Sequence, residues 1–378
     1  MAANPKALMD DQLARMDDQS AVRRILAHIE NRTTDLGSEV WHEPVENYRS
    51  PERYAAELSL LRRFPVPFCP SASLPEAGSY VAREAAGVPL LVVRNSEGGV
   101  NAFRNACRHR GMQVAEGSGC KKAFACRYHG WTYGLDGALK RVPHEEGFPG
   151  LDKSQHGLVA VKAVEKNGIV FVTQDSPEAP LEDLPALLAP GQRLFGHDET
   201  VMEANWKVFL EGFIEGYHIR STHPETFLPY GFDNLNLIDF FGRNCRVTYP
   251  FRRIRKLAEL PEAERKVTGF LTYVYHLFPN ALVTVLSSHT KLVILEPLTI
   301  DSTKMITYSL TNSGAPGAEE DARRDAAFVS TTGAAEDREV VRSIQRGIAS
   351  KANDVFTFGK FESAIVHFHR TLDAALRN

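Results

Sequence analysis

The chain has 378 residues, 43% of them hydrophobic and 24% charged, a balance that suits a soluble globular protein and, at this length, two domains rather than one. Its 44 basic and 47 acidic side chains leave a formal net charge of -3, so no global field recruits nucleic acid or an anionic membrane, and a small-molecule substrate is favoured. The opening MAANPKALMDDQLARMDDQS is acidic and lacks a continuous apolar core, and no later stretch approaches a membrane-spanning length, so a cytoplasmic protein is expected.

From about Asp10 to Glu30, Leu13, Met16, Val22, Ile25, Leu26 and Ile29 recur at roughly helical spacing and predict a peripheral helix. From about Arg63 to Thr173 short β-rich runs such as VPLLVVRN and GIVFVT alternate with glycine and asparagine turns, which predicts an all-β domain. The stretch Asp175–Gln192 holds four prolines and reads as an interdomain connection, partly helical at most. Beyond it NWKVFLEGFIEGYHI predicts a helix, GFLTYVYHLFPNALVTVLSSHTKLVILEPLTI and KMITYSLTNSG predict successive strands, and helices follow from about Glu319 to the C-terminus. We divide the chain into an N-terminal helical segment (1–55), an all-β domain (56–175) and an α+β domain on an antiparallel sheet (176–378).

Five cysteines, an odd and sparse set, suit metal ligation and buried thiols better than a disulfide framework. In the β domain, NACRHRGMQVAEGSGCKKAFACRYHGWTYGLDG gives two mirrored pairs, Cys107 with His109 and Cys126 with His129. Zinc is the commonest ligand of such a set, but its sites usually draw on C-x2-4-C or H-x3-5-H pairs, whereas each loop here offers one Cys and one His. A [2Fe-2S] cluster with two Cys on one iron and two His on the other matches that division. Cys69, Cys120 and Cys245 lack partners at ligand spacing and are left out. Arg104, Arg108, Arg110, Lys121, Lys122 and Arg127 crowd the same loops, either as a solvated rim or as a docking surface for an acidic electron donor.

In NWKVFLEGFIEGYHIRSTHPETF, Glu211, Glu215, His218 and His223 fall within thirteen residues. On an ideal helix a separation of five turns His223 about 140° from His218, so both face one metal only if the helix ends or distorts between them; Ser221, Thr222 and Pro224 favour such an ending. Two neutral imidazoles and one carboxylate on a single face leave open positions on Fe(II), the arrangement of non-haem iron oxygenases. His276, His289, His367 and His369 have no acidic partner at ligand spacing and read as structural or pocket-lining.

The segments CRHRG and CRYHGWTYGLDG, with Tyr128, Gly130 and Trp131 beside the second pair, closely resemble the Rieske non-haem iron oxygenase family (the aromatic-ring-hydroxylating dioxygenases), whose oxygenase subunit carries both constellations in this order. The resemblance covers nearly the whole chain. It implies a Rieske [2Fe-2S] domain followed by a helix-grip (START-like) catalytic domain, with a [2Fe-2S] cluster on Cys107, His109, Cys126 and His129 and an Fe(II) on His218, His223 and Asp337. Asp337 comes from GAAEDREVVRSIQRG, with Glu336 as runner-up; without the family it reads as an acid near a helix start. The family also places Asn205-Trp206-Lys207 ahead of the iron helix and a bridging acid three residues before the first histidine, so Asn205 and Glu215 are expected to act in catalysis. Most members have Asp where this chain has Glu215, and some that act on quaternary amines also have Glu.

By the same resemblance, electrons come from NAD(P)H through a partner reductase, sometimes with a ferredoxin, and the oxygenase is a homotrimer in which His129 of one chain lies near Glu215 of the next. No G-x-G-x-x-G opens a helix in this sequence, in keeping with a separate reductase. Phe213, Tyr217, Phe227, Phe232, Phe240, Phe241 and Phe278 suggest a small, largely apolar, aromatic substrate that is hydroxylated, dihydroxylated or demethylated, as in aromatic hydrocarbon catabolism; a methylated ammonium in an aromatic cage is the alternative. A non-enzymatic Rieske electron carrier fused to a ligand-binding domain is a further alternative.

Overall fold

A computed structural model of the chain describes residues 16–331 and 333–377. They divide into two compact units, one made of residues 61–181 and 186–190 and the other of the chain up to Leu60, 182–185 and 191 onward. Among the described residues no helix is long and apolar enough to cross a membrane.

Helix α1 (Asp18–Asn31) begins at Asp18 because the Asp17 carboxylate accepts the Gln19 and Ser20 amides; the earlier part of the predicted helix, with Leu13, lies outside the described residues. Strand β1 (Trp41–Pro44) and helix α2 (Pro51–Arg63), which opens on a proline that needs no amide partner there, follow.

The next unit is the expected β domain. Its strands are β2 (Val66–Pro70), β3 (Ser79–Ala85), β4 (Val88–Arg94), β5 (Val100–Arg104), β6 (Gly117–Cys120), β7 (Phe124–Ala125), β8 (Thr132–Tyr133), β9 (Leu139–Arg141), β10 (Ala160–Lys166) and β11 (Ile169–Thr173). Seven form an antiparallel sheet in the order β2-β11-β10-β5-β4-β3-β6, and β7-β8-β9 form a small second sheet. Leu91, Phe103, Phe124, Trp131 and Tyr133 pack between them, and Cys107 and Cys126 belong to the same core. Residues 175–193 then run without helix or strand, so the connection is irregular rather than partly helical.

The other unit is built on the antiparallel sheet β12-β18-β17-β16-β15-β14-β13. After β12 (Leu194–Met202) come α3 (Trp206–Phe213) and the single turn α4 (Ile219–Thr222). Strands β13 (Leu237–Phe241), β14 (Asn244–Pro250), β15 (Leu271–Leu277), β16 (Ala281–Val285), β17 (His289–Thr299) and β18 (Ser302–Thr311) form the rest of the sheet. Helices α5 (Ala318–Thr331) and α6 (Ala334–Ser350), strand β19 (Val355–Phe358) and helix α7 (Ser363–Arg377) complete the chain. The C-terminal helical region is interrupted by β19, which pairs with β1.

Alternation along the strands gives the sheet two distinct faces. Tyr273 reaches Asp18 of α1 on one face (2.7 Å). On the other, the His276 ring packs on Phe368 of α7, which also meets Trp206 of α3. This second face is where the sheet is gripped by helices.

The predicted helix over 205–219 stops at Phe213. Two carbonyls that a continued helix would use, those of Phe213 and Glu215, instead accept the Tyr249 hydroxyl from β14 (2.9 and 3.0 Å), and the Glu215 carboxylate takes the Tyr217 and His218 amides. Competition from side chains ends the helix, and Glu215 is therefore not on a helix face.

Candidate metal centres

The two Cys/His loops have the same backbone pattern. The Cys107 amide donates to the Met112 carbonyl and the Gly111 amide to the Cys107 carbonyl (both 2.8 Å); the Cys126 amide donates to the Trp131 carbonyl (2.8 Å) and the Gly130 amide to the Cys126 carbonyl (2.9 Å). Each turn closes on a glycine at positive φ, Gly111 at 80° and Gly130 at 74°. A Cβ on Gly130 would also lie 2.9 Å from Pro143 Cγ.

This repeat buries both thiols and brings the His109 and His129 rings to a centroid distance of 4.6 Å. Trp131 stacks on His109 at 5.1 Å and 12°. The Tyr133 hydroxyl, 3.2 Å from Cys107 Sγ, accepts the Arg108 amide (2.9 Å). Burial, then the neighbouring His129 and Arg110, lower the His109 pKa and favour a neutral imidazole. His129 is exposed.

Tetrahedral zinc at 2.0–2.3 Å from each donor would draw the donor atoms to within about 4 Å of one another. Among the described residues, the one His/Cys/Asp/Glu group of three or more that converges, within 4.8 Å, is His218, His223 and Asp337. Cys107, His109, Cys126 and His129 do not converge on one point, so they fit a cluster of two irons and not a single ion. The basic rim is partly neutralised: Arg104 pairs with Asp175 (2.8 Å) and Arg127 with Glu116 (3.1 Å).

The second group has different origins. His218 and His223 flank α4 as its two caps, so the single turn and the break before it supply the change of direction that an unbroken helix forbids. Asp337 arrives from the first turn of α6. Its Oδ1 lies 2.8 Å from His223 Nε2 and 3.8 Å from His218 Nε2. The other nitrogen of each ring is held by a carboxylate: His218 Nδ1 by Glu215, and His223 Nδ1 by Glu336 (2.6 Å), whose Oε2 also accepts the Thr226 hydroxyl (2.7 Å). That is the outer-shell arrangement that fixes the tautomer and aims Nε2. Glu336 therefore holds His223 from behind, while Asp337 shares the front of both rings. Burial draws the His223 pKa down, but Asp337 and Glu336 outweigh it and the net shift is upward. The Thr226 hydroxyl and then His223 hold Glu336 below the usual carboxylate range. The donor set, two imidazoles and a carboxylate with a dedicated second shell, fits an Fe(II).

The Asn205 side chain makes three hydrogen bonds to backbone groups. Its Oδ1 caps α3 through the Lys207 amide (3.0 Å), and its Nδ2 is spent on the carbonyls of Tyr48 (3.1 Å) and Ile300 (2.8 Å). The adjacent Lys207, fully buried, pairs with Glu57 through both oxygens (2.8 Å each).

Sequence reasoning missed Tyr249, Tyr133 and the role of Glu336. It also missed a buried group in which His369 lies between Glu211 (2.9 Å) and Glu43 (3.3 Å), with the Tyr48 hydroxyl donating to Glu211 (2.6 Å). Burial opposes the charge on His369, yet the two acids raise its pKa to about 9. No local spacing signals these contacts, since each partner comes from a distant segment.

Residues 64–164 match the model of the Rieske [2Fe-2S] domain, and residues 192–378 match that of the ring hydroxylating alpha subunit (catalytic domain). The chain is 27% identical to the chloroplastic choline monooxygenase of Spinacia oleracea, over 81% of this chain and 72% of that one. It is also 27% identical to the carnitine monooxygenase oxygenase subunit of Escherichia coli, over 80% and 84%. A solved quaternary ammonium Rieske monooxygenase, reported with insights into carnitine oxidation and inter-subunit electron transfer, shares the fold at a TM-score of 0.77 and 21% identity, covering 89% of this chain and 96% of that one.

Proposed function

The chain belongs to the Rieske non-haem iron oxygenases as a terminal oxygenase component, and from that membership we propose that its substrate is a small quaternary ammonium compound. The observation that carries this is Glu215: the chain has the longer acid where most ring-hydroxylating members have Asp, and that acid is bonded to His218. The choline and carnitine monooxygenases support the same class. A second reading, an apolar aromatic substrate, is favoured by Phe227, whose ring lies 4.6 Å from that of His223.

Cys107, His109, Cys126 and His129 would hold the [2Fe-2S] cluster, and His218, His223 and Asp337 the iron. When bound, the cluster relays electrons from a partner reductase and the iron activates dioxygen for insertion into the substrate. The chain's own residues set the conditions. Glu215 and Glu336 keep the protons of His218 and His223 on Nδ1, so that both Nε2 atoms are free to bind metal. Tyr249 pins the backbone between α3 and His218 to the sheet, and Tyr133 and Trp131 fix the cluster loops.

Electron entry is proposed at the exposed His129 edge, with a homotrimer in which that edge serves Glu215 of a neighbouring protomer. The inter-subunit electron transfer described for the fold relative supports this. A ferredoxin is an optional intermediate, and the proposed location is the cytoplasm.

The test is metal and acid-labile sulfide analysis with electron paramagnetic resonance of the dithionite-reduced protein, followed by dioxygen uptake with choline, carnitine, glycine betaine and naphthalene. About three irons and two sulfides per chain, and uptake coupled to product from an ammonium compound, are expected. Uptake with naphthalene alone would move the assignment to the second reading.

A further inference from the structure

His289 and Lys291 lie two residues apart on β17 and so project from the same face. Strand register carries the Lys291 row across the sheet to Ser309 on β18 and, in the other direction, to Thr284 on β16, Val274 on β15 and Val247 on β14. Tyr249, two residues beyond Val247, shares that face, and its hydroxyl holds the segment leading to His218. The helix-covered face thus runs from the proposed iron donors, over β14, to His289 and Lys291, with β15 and β16 between.

Both residues are left with unmet bonding capacity. Asp325 of α5 accepts His289 Nδ1 (2.8 Å) and the Ser288 amide (2.9 Å). The carboxylate assigns the ring proton to Nδ1 and leaves Nε2 as an acceptor. That nitrogen is buried without a partner, on a residue that is 0% exposed. The Lys291 side chain is half-buried and, among the described residues, makes no hydrogen bond or ion pair. Burial lowers its pKa, opposed by the charge of Asp325. A half-buried ammonium and a buried imidazole nitrogen are costly without partners, and Asp325 is already engaged by His289 and Ser288. Two neighbouring unmet groups, an ammonium donor and an imidazole nitrogen, define what would satisfy them.

We propose that Lys291 and His289, with Asp325 fixing the ring, form a subsite for the end of the substrate remote from the iron, and that this end is a hydroxycarboxylate, its carboxylate on Lys291 and its hydroxyl donating to His289 Nε2. The proposal rests on the oxygenase reading above only in taking this face as the substrate side. It narrows the substrate class: a purely hydrocarbon ring, or a cation without an acid group, leaves the subsite unfilled.

The test is calorimetric titration of the purified holoenzyme with two ligand sets: carnitine, gamma-butyrobetaine (no hydroxyl) and choline (no carboxylate), then 2-hydroxybenzoate, benzoate and phenol. Lys291→Met should weaken the carboxylates of the set that binds by at least about tenfold, as loss of one charged hydrogen bond implies, and leave the ligand without a carboxylate unchanged. Lys291→Arg should restore part of the loss, and His289→Phe should remove the preference for the hydroxylated member. An unchanged calorimetric melting transition of the catalytic unit in each variant shows that it folds. Carboxylate binding indifferent to Lys291, or absent in both sets, overturns the subsite. Lys291-dependent binding with no dioxygen uptake supports the subsite and sinks the oxygenase reading; turnover of carnitine or 2-hydroxybenzoate with KM unmoved in Lys291→Met sinks the subsite and leaves the oxygenase reading standing.

Discussion

The two candidate metal centres are assembled in opposite ways. The cluster loops are local: each gives its Cys and His within one tight turn, and the second repeats the hydrogen bonds of the first. The iron group is collected from afar. Two histidines flank one helical turn, their carboxylate partner comes from α6, and the backbone that carries them is held by a tyrosine of the sheet. A site made of turns depends on its own residues, whereas a site made of distant pieces depends on whatever holds those pieces in place.

That contrast breaks most sharply under ligand removal. His218→Ala should keep the Rieske resonance and abolish substrate oxidation, while Cys107→Ala should lose the resonance as well; the two spectra and the rate of product formation decide it. Full turnover by His218→Ala would remove the iron assignment.

Next in size is the support of the distant site. His369→Leu leaves Glu211 and Glu43 buried without their cation, and loss of one member of such a group costs about 3–5 kcal/mol. Calorimetry should show the transition of the catalytic unit falling while the cluster signal persists at moderate temperature. The wild-type unit has a pH signature of its own. His369, raised to about 9 from 6.5, contributes stability that is complete below 6.5 and lost as pH climbs through about 9. Glu43 is lowered to about 2 because the His369 contacts and those of Asn47 and Trp41 outweigh its burial; its contribution is present above 4.5 and lost as pH falls through about 2. The melting temperature should therefore decline first on the alkaline side.

Smaller again is Glu336→Gln. The amide still reaches His223 but no longer fixes its tautomer, and iron affinity should drop roughly 10- to 100-fold, read by iron titration of the apoprotein. The smallest effect sharpens the comparison from the cluster side. Tyr133→Phe removes the hydroxyl beside Cys107 Sγ, so the cluster should titrate at a lower reduction potential with its iron content unchanged.

The same contrast explains what could be read from the sequence. Cys107, His109, Cys126 and His129 stand out in the sequence because each pair and its turn occupy one short segment, and the strands around them alternate in a regular way. His218 and His223 were legible as a pair, and the need for a break between the helix and the second histidine was foreseen. The position of the break was not, because it is set by Tyr249 from another strand. The contacts of Asn205 with Tyr48 and Ile300 are not legible, because both partners are distant in sequence. His369 reads as a core histidine, and only the fold shows an acid on either side. Strand β19 was missed because it is four residues long and finds its partner at the far end of the chain.

That last pairing has a bearing on biosynthesis. The residues of β1 emerge from the ribosome well before those of their partner, β19. The β unit between them is almost wholly contiguous in sequence, so it is free to fold as nascent chain and to receive its cluster while the other unit is still incomplete. Synthesis of β19, rather than cofactor loading, then becomes the event that lets the N-terminal segment dock.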